Sequence, residues 1–213
     1  MNEETKSIQL PEPTLRRLPW YLAYVNMLRS QHIEYVSSTQ ISKKLNVDAS
    51  QISKDLSFLN IKGKTRIGYQ VEHLANELSV FLDFYKSHSA FMVGVGSLGS
   101  ALIQDSGLMQ YGLHIVAGFD VDEKIVGKDI CGVPIFHISG LRGKQQVYNA
   151  EIGIVAVPVE YAQQSADLLV DAGVKAIWNF TPYRIKVGDD VVIQNTSIYA
   201  HLAVMYNRLN GKK

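Results

Sequence analysis

The sequence is short of sulfur, of metal-ligand clusters and of long apolar runs, and each shortage removes a class of protein. Its 213 residues include one cysteine, Cys131, which excludes an internal disulfide and leaves no pair of thiolates for a zinc site. The expected compartment is therefore reducing and cytoplasmic. The six histidines show no metal-ligand spacing, and neither His114 nor His137, near predicted strand ends, has a recognisable partner for acid–base work. No run of roughly 18 apolar residues occurs, so no segment is expected to span a membrane. The lead from Met1 to Gln9 is polar and has no apolar core of signal-peptide length. Charged residues are 19% of the chain and the net charge is +1, but the charge is unevenly spread. Residues 10–70 hold nine basic side chains against four acidic ones, which leaves the remainder net negative. A basic N-terminal third points to a polyanion partner. Hydrophobic residues reach 46%, enough to pack one large domain or two small ones.

What is present is organised around Phe91-Met92-Val93-Gly94-Val95-Gly96-Ser97-Leu98-Gly99, an apolar run that breaks into glycines and resumes as a helical pattern through Leu102, Ile103 and Leu108. In a strand–turn–helix, Gly94 permits a tight turn, Gly96 lets the backbone approach a pyrophosphate, and Gly99 lets the helix pack closely on its strand. The helix N-terminus then holds the phosphates. A second apolar run, Leu113 to Phe119, ends in Asp120, 26 residues beyond Gly94. A carboxylate there accepts hydrogen bonds from a ribose 2′-hydroxyl and repels a 2′-phosphate, which argues for NADH and NAD+ over their phosphorylated counterparts.

The pattern then alternates. Strands are predicted over 90–94, 113–119, 133–136, 152–157, 175–180 and 190–194, and helices over 97–109, 138–148 and 160–172. Ile152-Gly153-Ile154-Val155-Ala156-Val157 lacks polar alternation, as a strand covered on both faces does. The fold class is α/β, a doubly wound, mainly parallel sheet of Rossmann type. Val157-Pro158 and Asn179 to Pro182 end two of its strands at the carboxyl edge, where ligands bind in such folds.

Ahead of this domain, Thr14 precedes Leu15, Leu18, Leu22, Val25 and Leu28 at helical spacing, which predicts a helix from about 14 to 30. Pro19 either distorts its first turns or delays its start. Ser37-Ser38 caps a short helix bearing Ile41 and Leu45. Asn46-Val47-Asp48 breaks it, and Asp48 with Gln51 resembles a capping box for a third helix through Ile52, Leu56 and Leu59. Two short helices about a tight turn make a helix-turn-helix. Lys62 to Val71 alternates glycines, cations and β-formers, which predicts a β-hairpin wing. Leu74, Leu78, Phe81 and Tyr85 follow at helical spacing, and 86–89 is the expected boundary. The chain closes with Ile198, Leu202, Met205 and Leu209, a narrow seam that calls for a partner helix; packing within its own subunit is the alternative.

Taken in order, Arg17-Leu18-Pro19 with Tyr21-Leu22, Val36-Ser37-Ser38, Lys54-Asp55-Leu56-Ser57, Gly68-Tyr69, the glycine stretch, Phe119-Asp120-Val121-Asp122, Gly132-Val133-Pro134, Val157-Pro158 and Asn179-Phe180-Thr181-Pro182 resemble the redox-sensing transcriptional repressor family called Rex. The match runs from about Pro11 to Leu209. It implies a winged-helix DNA-binding domain (1–86), a Rossmann domain for NADH or NAD+ (87–194) and a C-terminal dimerisation helix exchanged between the subunits of a homodimer (195–213). Such proteins bind palindromic operators in double-stranded DNA and leave them when NADH fills the site.

The expected cofactor residues are Gly94, Val95, Gly96, Ser97, Leu98, Gly99 and Asp120, and the resemblance adds Val157, Pro158, Asn179 and Thr181 beside the nicotinamide. The expected DNA residues are Arg16, Arg17, Ser50, Gln51, Ser53 and Lys54, with Lys62, Lys64 and Arg66 on the wing. Family members commonly carry Arg-Lys-Asp on the recognition helix, whereas this chain has Ser53 at the first position. Some also use an arginine on the first helix, a tyrosine after the glycine-rich helix and a terminal-helix aspartate as a polar switch. The matched positions are Ala23, Asp105 and Ser197, so that wiring is absent here. No catalytic residue is expected, because one terminal helix follows the dinucleotide domain and no second domain remains to hold a substrate. A small NAD-dependent oxidoreductase with an accessory N-terminal domain is the other reading.

Overall fold

A computed structural model describes residues 10–211; the polar lead Met1–Gln9 and the last two residues of the 195–213 segment lie outside the described residues. The chain divides into two compact units, the first ending at Tyr85 and the second beginning at Lys86.

In the first unit, helix α1 (Glu12–Ser30) starts two residues before the predicted point, with Pro11 at its N-cap and a proline in its first turn, where a missing N–H breaks no bond. It continues through Pro19, which leaves without its usual partner the carbonyl of Leu15, a residue on the exposed side of the helix. Its buried stripe is Thr14, Leu18, Tyr21, Leu22, Val25 and Leu28, so Tyr21 takes the core place predicted for Leu15. Strand β1 (Tyr35–Val36) leads into α2 (Ser38–Leu45), where Ser37 and Gln40 form a full capping box. Asn46 ends α2 in the left-handed region, and Asp48 caps α3 (Ala49–Ser57) through the Ser50 amide. The box predicted between Asp48 and Gln51 does not form, because Gln51 donates to Asp55.

The wing also differs from expectation. Lys64 and Gly68 close a tight loop on each other, and β2 (Tyr69–Gln70) pairs antiparallel with β1. Gly68, at φ 103°, lies so close to Val36 that a Cβ would strike the Val36 carbonyl oxygen. Helix α4 (Val71–Phe81) packs on α1 and stops short of Tyr85, with Asp83 in the left-handed region. Leu18, Tyr21, Leu22, Val25, Ile41, Ile52, Leu56, Leu74 and Leu78 form the core between these helices.

The second unit runs β3 (His88–Val93), α5 (Ser97–Gln104), α6 (Ser106–Gln110), β4 (Leu113–Asp120), β5 (Asp129–Ile130), β6 (Val133–His137), α7 (Leu141–Tyr148), β7 (Ile152–Val155), α8 (Ala162–Ala172), β8 (Ala176–Asn179), β9 (Val192–Asn195) and α9 (Ile198–Asn210). Six strands are parallel in the order β6-β4-β3-β7-β8-β9, and β5 adds an antiparallel edge to β6. This is the doubly wound dinucleotide-binding order, with its reversal between β3 and β7. Successive β3 residues serve opposite faces, Phe91 and Val93 packing with Phe119, Leu169 and Ile177, and Ala90 and Met92 with Ile103, Ile135 and Ile154.

The single helix predicted over 97–109 is two, because Asp105 leaves the helical region and caps α6 through the Gly107 amide. β5 was outside the prediction; it exists because Cys131 and Gly132, both at positive φ, make a two-residue turn. The helices predicted over 138–148 and 160–172 begin as 3-10 turns at Ile138–Gly140 and Val159–Tyr161. Among the described residues no helix is long and apolar enough to cross a membrane.

Candidate functional site

The chain leaves β3 through Gly94 at φ 88°, where a Cβ would lie 2.5 Å from the Ala156 carbonyl oxygen and 2.8 Å from Val157 Cγ1. A Cβ on Gly99 would collide with the Gly94 carbonyl oxygen. These two glycines therefore allow β3, β7 and α5 to meet without side chains between them. Gly96, the N-cap of α5, is the opposite case, since a Cβ there would meet nothing within 4 Å. Ser97 and Leu98 form the exposed first turn of α5.

Asp120 stands at the end of β4 and fastens this loop. Its Oδ2 accepts the Val95 amide at 2.7 Å, and its Oδ1 accepts the amides of Val121 at 2.7 Å and Asp122 at 3.0 Å. A carboxylate has roughly four acceptor positions, so one remains for a ligand hydroxyl. Gly94, Gly96, Asp120, Val157, Pro158 and Tyr161 are among the residues lining a cleft of about 480 Å³ at the carboxyl ends of β3, β4 and β7. Among its described lining residues none is lysine or arginine. An anion in this cleft would be met by backbone amides and the α5 N-terminus.

Asn179 and Thr181 lie outside this lining. Asn179 is fully buried; its Nδ2 donates to the Tyr183 carbonyl and to Asn195 Oδ1, and its Oδ1 accepts both the amide and the hydroxyl of Thr181. These bonds hold the end of β8 to β9 and the loop between them.

In the first unit the centre is a residue that the sequence shows only as one member of a motif. Asp55 on α3 is completely buried and accepts hydrogen bonds from Thr14 Oγ1 (3.0 Å), Arg17 Nε and Nη2 (2.7 and 2.8 Å), Tyr21 Oη (2.8 Å) and Gln51 Nε2 (2.8 Å). Burial alone would raise its carboxyl, but the bonds from Arg17, Tyr21, Gln51 and Thr14 outweigh this and hold it below the ordinary aspartate value. The hydrogen bond to Asp55 raises the Arg17 guanidinium further, while burial and then Asp55 push the Tyr21 phenol up. Arg17 is thus a positioning cation between α1 and α3, with its forked guanidinium committed to the carboxylate. A signal was available: Thr14, Arg17 and Tyr21 are three and four apart on one helical face, as are Gln51 and Asp55.

The other expected DNA residues are surface groups. Ser50, Ser53 and Lys54 are exposed on α3, and Lys62, Lys64 and Arg66 on the loop. Lys64 Nζ stands 5.6 Å over the Tyr35 ring, and Arg16 pairs with Glu12 at 2.7 Å on the outside of α1. Helix α9 has no buried residue. Ile198 is 49%, Met205 47% and Leu209 61% exposed, while Leu202 is half-buried, so most of the seam is left open by its own subunit. Ser197 caps α9 through the Ala200 amide, Asp105 caps α6, and Ala23 is exposed on α1.

Residues 9–57 match the family described as "Putative DNA-binding protein N-terminus" and residues 85–183 the "CoA binding domain". The chain is 57% identical to the redox-sensing transcriptional repressor Rex of Bacteroides thetaiotaomicron, over 95% of this chain and 92% of that protein. It is 53% identical to Rex of Porphyromonas gingivalis, over 95% and 93%. Among solved structures, the Rex-family repressor RSP with NAD+ and operator DNA superposes with a TM-score of 0.90 at 33% identity, over 96% of this chain and 94% of that one. RSP with NADH gives 0.84 at 34% identity, over 95% of each. With glycines that fit only this strand–turn–helix, a helix-turn-helix ahead of them, and this similarity across nearly the whole length, the chain belongs to the Rex family of redox-sensing transcriptional repressors.

Proposed function

We propose that this chain binds a palindromic operator as a homodimer and releases it when NADH replaces NAD+ in the cleft. The observation that carries the reading is the cleft itself, where Gly94 and Gly99 bring three elements together and Gly96 leaves an open approach to the α5 N-terminus. In this reading Gly96, with the amides of Ser97 and Leu98, faces the pyrophosphate. Asp120 holds Val95 and takes a ribose hydroxyl with its remaining acceptor position. Val157 and Pro158 border the nicotinamide, while Asn179 and Thr181 brace the end of β8. RSP, 33–34% identical, has been crystallised with NADH and with NAD+ and operator DNA, which supports the same two ligands here.

Helix α3 enters the major groove with Ser50, Ser53 and Lys54 outermost and Gln51 beside them. Lys62, Lys64 and Arg66 lie along the backbone, with Arg16 as a further phosphate contact. A palindrome needs two such helices, and exchange of the seam Ile198, Leu202, Met205 and Leu209 of α9 between subunits supplies the dimer. Residues 1–86, 87–194 and 195–213 then serve DNA, cofactor and dimerisation. The single cysteine, Cys131, is exposed and unpaired, which suits a reducing cytoplasm. Coupling requires NADH to favour the arrangement in which the two α3 helices no longer match the half-sites, by an amount set by its differential affinity for the two states. Titration of the purified chain with NADH, followed by cofactor fluorescence, tests the cleft. Saturable binding displaced by NAD+, with NADPH weaker, supports the reading; indifference to NADH and NAD+ overturns it.

A further inference from the structure

The exposed face of α3 is made of Ser50, Ser53, Lys54 and Ser57, spaced three, four and seven residues from the first, opposite the buried Ile52, Asp55 and Leu56. Each serine has one hydroxyl proton, and each proton is already used within the protein. Ser50 donates to Asp48 Oδ1 at 2.8 Å, Ser53 to the Ala49 carbonyl at 3.0 Å and Ser57 to the Lys54 carbonyl at 2.7 Å. What these hydroxyls have left to offer is lone pairs. Gln51, beside the stripe, is oriented the same way. Asp55 is an acceptor, so the Gln51 nitrogen must face it, and no described residue donates to the Gln51 Oε1. Lys54 is the one donor on the stripe.

From this we infer that the recognition face of α3 reads base edges mainly as a hydrogen-bond acceptor, selecting the exocyclic amino groups of adenine and cytosine in the major groove. Those amino groups are the donors displayed there, whereas the N7 and O6 atoms of guanine are acceptors. Guanine is left to Lys54. The inference rests on the reading of α3 as a DNA helix and adds the chemistry of what it selects. Ser53 decides most of it, since its outward lone pairs stand where a cationic side chain would seek guanine.

The test begins with selection of duplexes from a randomised library by the full chain with NAD+ present. Failure to enrich any duplex would overturn the DNA-binding reading together with this one. With an enriched operator in hand, single adenines and cytosines are replaced by N6-methyladenine and N4-methylcytosine, which put a methyl in place of the major-groove amino proton. Single guanines are replaced by 7-deazaguanine, which lacks N7. Methylation at the pairs facing the serines should weaken binding about tenfold per position, and at one of those pairs the penalty should vanish in Ser53→Ala. Sensitivity to 7-deazaguanine should be confined to the pair at which Lys54→Ala removes it. Indifference to amino methylation, or loss of binding on 7-deazaguanine at the pair coupled to Ser53, would overturn the inference while leaving operator binding intact.

Discussion

Replacing Asp55 with alanine should loosen the first unit as a whole. The substitution removes the acceptor of five hydrogen bonds and leaves Arg17, whose side chain is 20% exposed, without its counter-ion. Breaking a buried pair by deleting one partner costs about 3–5 kcal/mol. The residual exposure of Arg17 puts the expectation near the lower end, about 3 kcal/mol against a total of roughly 5–15 for a domain. A loss of that size accelerates exchange of the most protected α1 and α3 amides about a hundredfold, measured by hydrogen–deuterium exchange resolved on peptides. Exchange is the suitable assay because two units need not melt together. The pH dependence has a definite sign. The folded carboxyl is held below its ordinary value of 3.8, so its contribution is present above that value and is lost as pH falls through the folded one. The intact chain should therefore lose α1 and α3 protection as pH drops below about 4, and the D55A variant should lack this limb. Unchanged exchange in D55A, or an identical acid limb, would refute the reasoning.

Three further outcomes follow from the geometry. Gly99→Ala should abolish NADH binding, because its Cβ would collide with the Gly94 carbonyl, whereas Gly96→Ala should fold normally and lose cofactor affinity alone; thermal melts and cofactor fluorescence separate the two. Asp120→Ala frees the Val95 amide and should weaken NADH binding about ten- to a hundredfold, as loss of charged hydrogen bonds does, while narrowing the gap between NADH and NADPH in direct titration. Met205→Asp on the exposed α9 seam should give monomers by light scattering and weaken operator binding by more than tenfold, since one α3 then meets one half-site.

The sheet order and the cleft were legible because they depend on local chemistry. A strand covered on both faces reads as an unbroken apolar run, and Gly99 is imposed by the nearby Gly94 carbonyl, although the contact that imposes Gly94 comes from Ala156 and Val157 across the sheet. What the sequence hides is mostly a polar partner. The spacing pairs Gln51 with Asp48 in a capping box, but a buried carboxylate one turn further on is a stronger acceptor. The apolar spacing of Leu102, Ile103 and Leu108 passes straight over the break at Asp105, whose own side chain starts a second helix. Sequence shows the charge of Arg17 without showing its partner Asp55, which lies 38 residues away. The motif at Asn179 likewise does not show that its side-chain amide bonds to Thr181, Tyr183 and Asn195. The alternation of the wing predicts a hairpin, and Gly68 instead folds it against Val36, a steric fit that no pattern of alternation reveals.

The most direct measurement of the central claim is binding of the purified chain to its selected operator at fixed salt, titrated with NADH and separately with NAD+. NADH should release the DNA, and NAD+ at the same concentration should not. Tight operator binding that is indifferent to both cofactors would contradict it, leaving the DNA face intact and the cleft at Gly94 unconnected to it.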